Sequence, residues 1–255
     1  MAVRECVKVV KAGQLAEGIF EMVIESPKMA ELAKPGQFVS LYSNDAAHLL
    51  PRPISICEVL EDGIRFVYRA VGAGTTEFSK MKAGDTLVAQ GPLGNGYEAV
   101  LNAGSKAILV GGGIGVPPML ELSKQLTVPH TVVCGYRNSD TFLVDDFKKY
   151  SDFVIATDDG SLGTHGTVID AIKEQGVTGD VIYACGPMPM LKAVKAYAAE
   201  QGMKAYISLE ERMACGIGAC LGCVTKTVHK DEHSKVNNAR VCVEGPVFDA
   251  EEVEI

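Results

Sequence analysis

Cys215, Cys220, Cys223 and Cys242 are the residues whose types and spacing most directly imply chemistry. They read C-x4-C-x2-C in ERMACGIGACLGCVTKT (211–227), with the fourth in VCVEGPVF (241–248). This is a spacing that holds a [2Fe–2S] cluster, which takes four soft thiolate ligands, two on each iron. Gly216, Gly218 and Gly222 lie between the first three cysteines. A loop that wraps a cluster needs small residues and positive φ angles so that its N–H groups can turn toward sulfur. Structural zinc and disulfide pairing are the competing uses of four cysteines. Zinc ribbons favour two short C-x2–4-C pairs, and only Cys220 and Cys223 form one here. A two-iron cluster carries one electron at a time, so the chain is expected to move electrons.

The remaining cysteines, Cys6, Cys57, Cys134 and Cys185, are scattered among apolar residues. Packing as small hydrophobes is their expected use, with Cys57 and Cys185 lying inside or beside other motifs. Gly111-Gly112-Gly113-Ile114-Gly115-Val116-Pro117-Pro118 follows an apolar run and opens a helical one. That context suits phosphates at a helix N-terminus. Pro118 stands where a dinucleotide fingerprint would carry its third glycine, and no acidic residue follows about 20 positions on; Gly135-Tyr136-Arg137 stands there instead. An ordinary Rossmann dehydrogenase is therefore disfavoured, and a ligand-free tight turn is the alternative. Arg52-Pro53-Ile54-Ser55 offers a guanidinium fork for a pyrophosphate and a hydroxyl for a ring nitrogen; alone, it reads first as a surface Arg beside a turn proline. Gly72-Ala73-Gly74-Thr75-Thr76-Glu77 is a second candidate phosphate cradle or a turn. Cys185-Gly186-Pro187-Met188 ends an apolar run, the place where ligands bind in open α/β sheets.

Three zones position these residues. Residues 1–100 carry short β-branched and aromatic runs at 7–12, 18–26, 36–43, 54–61, 63–71 and 85–92. Gly, Pro, Asn and Asp punctuate them, which predicts an antiparallel barrel or sandwich, with one helix over 77–82. Residues 101–212 alternate: strands over 106–115, 130–136, 153–160, 180–187 and 204–210, helices over 117–127, 145–150, 167–176 and 188–202. That alternation predicts a parallel sheet with right-handed crossovers, joined to the first zone near 101–106. Residues 213–255 read as a small cysteine-bearing subdomain. The fold class is thus a multidomain β plus α/β chain: barrel, nucleotide-binding domain and iron–sulfur subdomain.

Taken jointly, R-P-x-S, then G-G-G-x-G-x-x-P, then C-G-P-M resembles the ferredoxin–NADP reductase superfamily. With ERMACGIGACLGC and CVEGPVF added, the full length resembles the electron transfer subunits of bacterial dihydroorotate dehydrogenase B. The resemblance implies FAD on the barrel, held by Arg52, Pro53, Ile54 and Ser55, with Tyr68 and Arg69 beside them and Gly74, Thr75 and Thr76 at the diphosphate. It implies NAD on the α/β domain, facing Gly112, Gly113 and Gly115, with Gly135, Tyr136, Arg137, Asp158, Asp159 and Gly160 lining the rest. Cys185, Gly186 and Pro187 would lie near nicotinamide and flavin, and Cys215, Cys220, Cys223 and Cys242 would ligate the [2Fe–2S] cluster. The implied partner is an FMN-containing dihydroorotate dehydrogenase catalytic subunit, in a heterotetramer of two of each. The implied role is electron transfer to NAD+ in pyrimidine (UMP) biosynthesis. Two other readings share these motifs: a flavin/iron–sulfur subunit of a sulfide dehydrogenase or an NADH-dependent ferredoxin:NADP+ transhydrogenase, and a non-catalytic redox-sensing module.

Composition narrows the class further. A net charge of −8 disfavours nucleic acid as a partner. No apolar run reaches the ~18 residues of a membrane span, and the N-terminus lacks the apolar core of a signal peptide; a cytoplasmic location is expected. His48, His130, His165, His229 and His233 show no metal-ligand spacing and read as core or surface residues. No general base is called for. Replacing Cys220 with Ser is expected to abolish the cluster's paramagnetic resonance signal while FAD stays bound. A normal cluster signal from Cys220→Ser would remove Cys220 from the ligand set.

Overall fold

The computed structural model describes residues 2–99, 101–230 and 235–255. The N-terminal part begins with β1 (Val3–Ala16), β2 (Ile19–Glu25), α1 (Pro27–Leu32), β3 (Phe38–Tyr42), β4 (Arg52–Val59), β5 (Gly63–Arg69), α2 (Ala73–Phe78) and β6 (Thr86–Leu93). The six strands close into an antiparallel barrel in the order β1-β2-β5-β4-β3-β6. Closure removes the unpaired edges that an open sheet would expose. Val39, Leu41, Ile56, Ile64, Phe66 and Leu87 fill its interior. The opposite face of β3, carrying Phe38 and Ser40, is buried as well, so another part of the chain must cover it.

Two local features depart from the sequence-based expectation. Helix α1 was not foreseen; Ser26 caps it, its Oγ accepting from the Met29 N–H at 3.3 Å. Helix α2 starts at Ala73 rather than near Glu77, because the Thr75 hydroxyl accepts the N–H groups of Val71 and Gly72 at 3.0 and 3.2 Å. The glycine-rich 72–77 segment is therefore the first turn of the helix itself.

The second part runs β7 (Ala107–Gly112), a 3-10 turn (Gly113–Gly115), α3 (Pro118–Gln125), β8 (His130–Tyr136), α4 (Val144–Phe147), β9 (Asp152–Thr157), β10 (Thr164–His165), α5 (Val168–Glu174), β11 (Val181–Cys185), α6 (Met188–Gln201) and β12 (Lys204–Ser208). All of these strands pair in parallel. The C-terminal part adds a β13 (Val224–Lys226) and β14 (Asn238–Arg240) ribbon, then β15 (Val247–Asp249). Strand β15 pairs antiparallel with β12 and completes a seven-stranded sheet ordered β10-β9-β8-β7-β11-β12-β15.

Barrel and sheet are fastened by polar contacts. Tyr97 Oη donates to the Ala184 carbonyl at 2.8 Å, and Tyr183 Oη donates to that of Glu98 at 2.9 Å. Arg65 on β5 reaches Glu21, Glu58 and Asp146 at 3.1, 3.3 and 3.2 Å, so one barrel guanidinium grips helix α4 of the neighbouring domain. Glu121 of α3 accepts the Val59 N–H at 2.7 Å. Each carboxylate also has a lysine, Lys11 on Glu21, Lys124 on Glu58 and Lys149 on Asp146, so removing Arg65 leaves none of them unpaired, and the loss is that of charge-assisted hydrogen bonds, about 2 kcal/mol. Arg65→Ala is therefore expected to lower the urea unfolding midpoint by an amount equivalent to about 2 kcal/mol; an unchanged midpoint would show that the cluster contributes nothing net.

Candidate functional site

The barrel brings Arg52 and the 72–77 turn together, although about 20 residues separate them in sequence. The Arg52 guanidinium, whose Nη1 donates to the Leu50 carbonyl, lies directly over Gly74, where a Cβ would collide with it. A basic fork over a helix start is a fitting cradle for a diphosphate. Pro53 and Ser55 lie opposite Ser40 and Phe38 across the β3–β4 ladder. Those four side chains therefore share the outer face of the barrel, while Ile54 packs toward the inner core. Tyr68 stands between Phe20 and Phe78 with its ring-to-ring centroids at 6.3 and 6.4 Å. Its hydroxyl is buried without a hydrogen-bond partner among the described residues, an orphan that a bound polar group would satisfy.

A second feature is a cleft of about 830 Å³ between the barrel and the C-terminal edge of the parallel sheet. Gly112, Gly113, Gly115, Gly135, Tyr136, Arg137, Asp158, Gly186 and Pro187 all line it, as does Arg69 from the barrel. Packing explains several of the glycines. A Cβ on Gly112 would stand 2.5 Å from Met190 Sδ, and one on Gly135 would stand 2.9 Å from Val168 Cγ1. Gly113 differs: a Cβ there would meet open space, but its φ of +53° suits glycine. Asp159, Gly160 and Cys185 lie outside this lining. The Asp159 carboxylate accepts from Ser161 at 2.6 Å, Gly160 packs on His165, and Cys185 is buried just beneath the cleft. Burial, and then the Glu210 carboxylate, push the Cys185 thiol up to about 12. It is a neutral packing group there rather than a thiolate.

Sequence reasoning missed Glu17, Asn138, Asp140 and Glu210, which also line the cleft. The Glu17 N–H donates to Asp140 at 2.9 Å and ties the β1–β2 turn to the segment after β8. Burial raises the affinity of Glu210 for its proton. No periodicity or motif marks these residues, because their place depends on two domains meeting.

The cysteine loop covers the outer face of β3. All eight cysteines are free; Cys223 and Cys242 are buried, Cys215 is half-buried and Cys220 is exposed. Cys215 Sγ accepts the Cys220 N–H at 3.4 Å. The Ile217 N–H, above all, pulls the Cys215 thiol down to about 6 against the opposing effect of burial, with further help from Cys220 and Ala219. Burial, followed by the adjacent Cys223 thiol, pushes Cys242 up to about 12. Gly216, Gly218 and Leu221 have φ of 69°, 83° and 56°, the turning that points N–H groups inward. Among the described residues, no three His, Cys, Asp or Glu side chains gather on one metal-ion position. The cysteines instead form two neighbouring pairs, Cys215 with Cys220 and Cys223 with Cys242, a donor set that fits two irons. The His130 ring is engaged by Ser123 and the Val128 carbonyl, away from this loop; His233 lies outside the described residues.

A closed barrel, a parallel α/β domain with its cleft at the strand C-termini and an added cysteine loop define an electron-transferring oxidoreductase of the ferredoxin–NADP reductase class. The fold is shared with a ferredoxin NADP+ reductase from Neisseria gonorrhoeae, at TM-score 0.65 and 16% identity over 82% of this chain and 94% of that one. The NADH-dependent reduced ferredoxin-NADP oxidoreductase structure is closer, at TM-score 0.86 and 31% identity over 97% and 89% of the two chains. Residues 210–254 match the iron-sulfur cluster binding domain of dihydroorotate dehydrogenase B. The chain is 43% identical over 95% of both lengths to the dihydroorotate dehydrogenase B (NAD(+)) electron transfer subunit of Fusobacterium nucleatum subsp. nucleatum. It is 41% identical over 99% of both lengths to that of Streptococcus mutans serotype c. The chain belongs to the family of dihydroorotate dehydrogenase B electron transfer subunits.

Arg52→Ala is expected to weaken FAD binding by about 1.5–3 kcal/mol, the loss of a charge-assisted hydrogen bond. Extensive dialysis followed by flavin absorbance measures it; retention equal to the parent protein would place the diphosphate elsewhere.

Proposed function

We propose that this chain is the electron transfer subunit through which a separate, FMN-containing subunit that oxidises dihydroorotate delivers its electrons to NAD+ in UMP biosynthesis. The single observation that carries the reading is where the cysteine loop lies. Gly216 approaches Ser40 on the outer face of β3, opposite Pro53 of the R-P-x-S segment, and Arg69 of the adjoining β5 lines the nucleotide-sized cleft. When bound, FAD and a [2Fe–2S] cluster supply the conversion between single electrons and hydride. The protein's own task is to hold and orient them. Arg52, Gly74, Thr75 and Thr76 hold the FAD diphosphate, and Pro53, Ser55 and Tyr68 bound its ring. Gly113, Tyr136, Arg137 and Asp158 receive NAD(H), and the four loop cysteines ligate iron.

The location of the loop supports a partner that docks beside it. Cys220 is exposed, and Ile217 and Leu221 beside it are 52% and 62% exposed. Apolar side chains around an electron entry point suit burial against another subunit. The complex is a heterotetramer of two chains of each kind in the cytoplasm. No helix among the described residues is long and apolar enough to cross a membrane. The transhydrogenase alternative shares the fold; identity of 41–43% to the dihydroorotate dehydrogenase B subunits, against 31% to the ferredoxin-NADP oxidoreductase, favours the first reading.

Division of labour provides the test. The isolated chain should oxidise NADH with an artificial two-electron acceptor and leave dihydroorotate untouched, since in this reading the oxidation of that ring belongs to the FMN subunit. Adding the FMN subunit should couple dihydroorotate oxidation to NAD+ reduction. Cys220→Ser should abolish the coupled reaction and retain most NADH oxidation. Coupled turnover by a cluster-free protein would refute the order of the relay, and dihydroorotate turnover by the isolated chain would refute the two-subunit reading.

A further inference from the structure

Ser40 has no role in the assignments above, yet its surroundings are unusual for a serine. It is 1% exposed, and its Oγ has no hydrogen-bond partner among the described residues. A buried hydroxyl left without a partner costs about 1–3 kcal/mol, so a strand position that keeps one calls for a reason. A β-branched or apolar residue would suit a strand better on packing alone.

Its position supplies the reason. Ser40 lies on the outer face of β3, opposite Pro53 of the R-P-x-S segment on β4. On its other side is Gly216, the residue after the first cluster cysteine; a Cβ built there would stand 2.9 Å from Ser40 Oγ. The rest of that neighbourhood is apolar: Leu93 and Phe38 are the next atoms about Gly216, at 3.7 and 4.0 Å from the same point. Ser40 is thus a polar side chain set between the flavin-binding strand and the cysteine loop. With no protein acceptor among the described residues, its O–H is free to serve a group bound at that seam, and the loop that carries Cys215 approaches it at Gly216.

We propose that Ser40 donates a hydrogen bond to a sulfur of the cluster held by the 215–223 loop and so raises the cluster's reduction potential. The assignment rests on the iron–sulfur reading above. A one-electron reduction adds negative charge to the cluster, and a donor to sulfur stabilises the reduced state more than the oxidised one. Ser40 is in this sense a tuning and positioning residue at the junction where a single electron passes between the cluster and the flavin.

The experiment compares the parent protein, Ser40→Ala and Ser40→Thr, each full-length and purified without oxygen. Iron, acid-labile sulfide and FAD are counted first. Redox titrations then follow the cluster by paramagnetic resonance and FAD by absorbance. Ser40→Ala should shift the cluster's reduction equilibrium toward the oxidised form by about three- to tenfold, tenfold being about 59 mV for one electron. Its g values should move, the FAD midpoint should stay in place, and Ser40→Thr should return the cluster toward the parent value. An unchanged cluster midpoint in fully loaded Ser40→Ala overturns the proposal. So does a shift confined to FAD, which would place the hydroxyl on the flavin. Should Ser40→Ala fail to hold iron, Ser40→Thr decides: parent-like loading and potential support the hydroxyl's role, and a cluster defect there overturns it. A parent protein without iron would instead refute the iron–sulfur reading itself.

Discussion

The pairing of β15 with β12 is the interaction on which the arrangement of this molecule depends. A segment of some forty residues has too little core to stabilise a fold alone. Here it borrows one. Its last strand adds to the edge of the parallel sheet, and Phe248, Val241, Cys223 and Cys242 join a single hydrophobic cluster with Phe38 and Leu93 of the barrel and Ile207 of the sheet. Backbone hydrogen bonds complete the attachment: Asn95 N–H to Gly245 O at 2.6 Å and Leu209 N–H to Pro246 O at 2.9 Å. The cysteine loop is thereby pinned at both ends between two domains instead of hanging from one. The placement of the cysteines and their distance from β4 both follow from that attachment.

The same logic governs the cleft. Its two walls come from different domains, so its width is set by whatever holds barrel and sheet together. The tyrosine contacts at Ala184 and Glu98 act near the cleft floor, and the Arg65 group with Glu121 acts on the far flank. These are buried or half-buried polar contacts with defined partners, which specify one relative orientation more strictly than apolar packing does. An electron carrier benefits from such rigidity, because its cofactors must stay in fixed relation while electrons pass.

Much of this was legible in the residues. The cysteine spacing, the β-rich first zone and the alternating second zone are local patterns, and local patterns survive in a linear chain because period-2 and period-3.6 hydrophobicity and ligand spacing are short-range. The six barrel strands and the helices of the α/β domain lie close to where their periodicity places them. Helix α2 was displaced by one turn because Thr75, a side chain reading its own backbone, moved the start forward. Helix α1 and strand β15 were missed, being only six and three residues long and without a full period to recognise.

Tertiary structure alone decided how these pieces meet. The sequence by itself determined the chemistry on offer: four thiols at cluster spacing, a guanidinium beside a strand, glycines at a strand-to-helix turn. It could not show that Arg52 lies over Gly74, that Glu17 and Asp140 join in the wall of the cleft, or that Ser40 is buried beneath Gly216. Each of those juxtapositions joins residues tens to hundreds of positions apart. Their contact is fixed by barrel closure and by the last strand's return to the sheet, and both are properties of the whole folded chain rather than of any window along it.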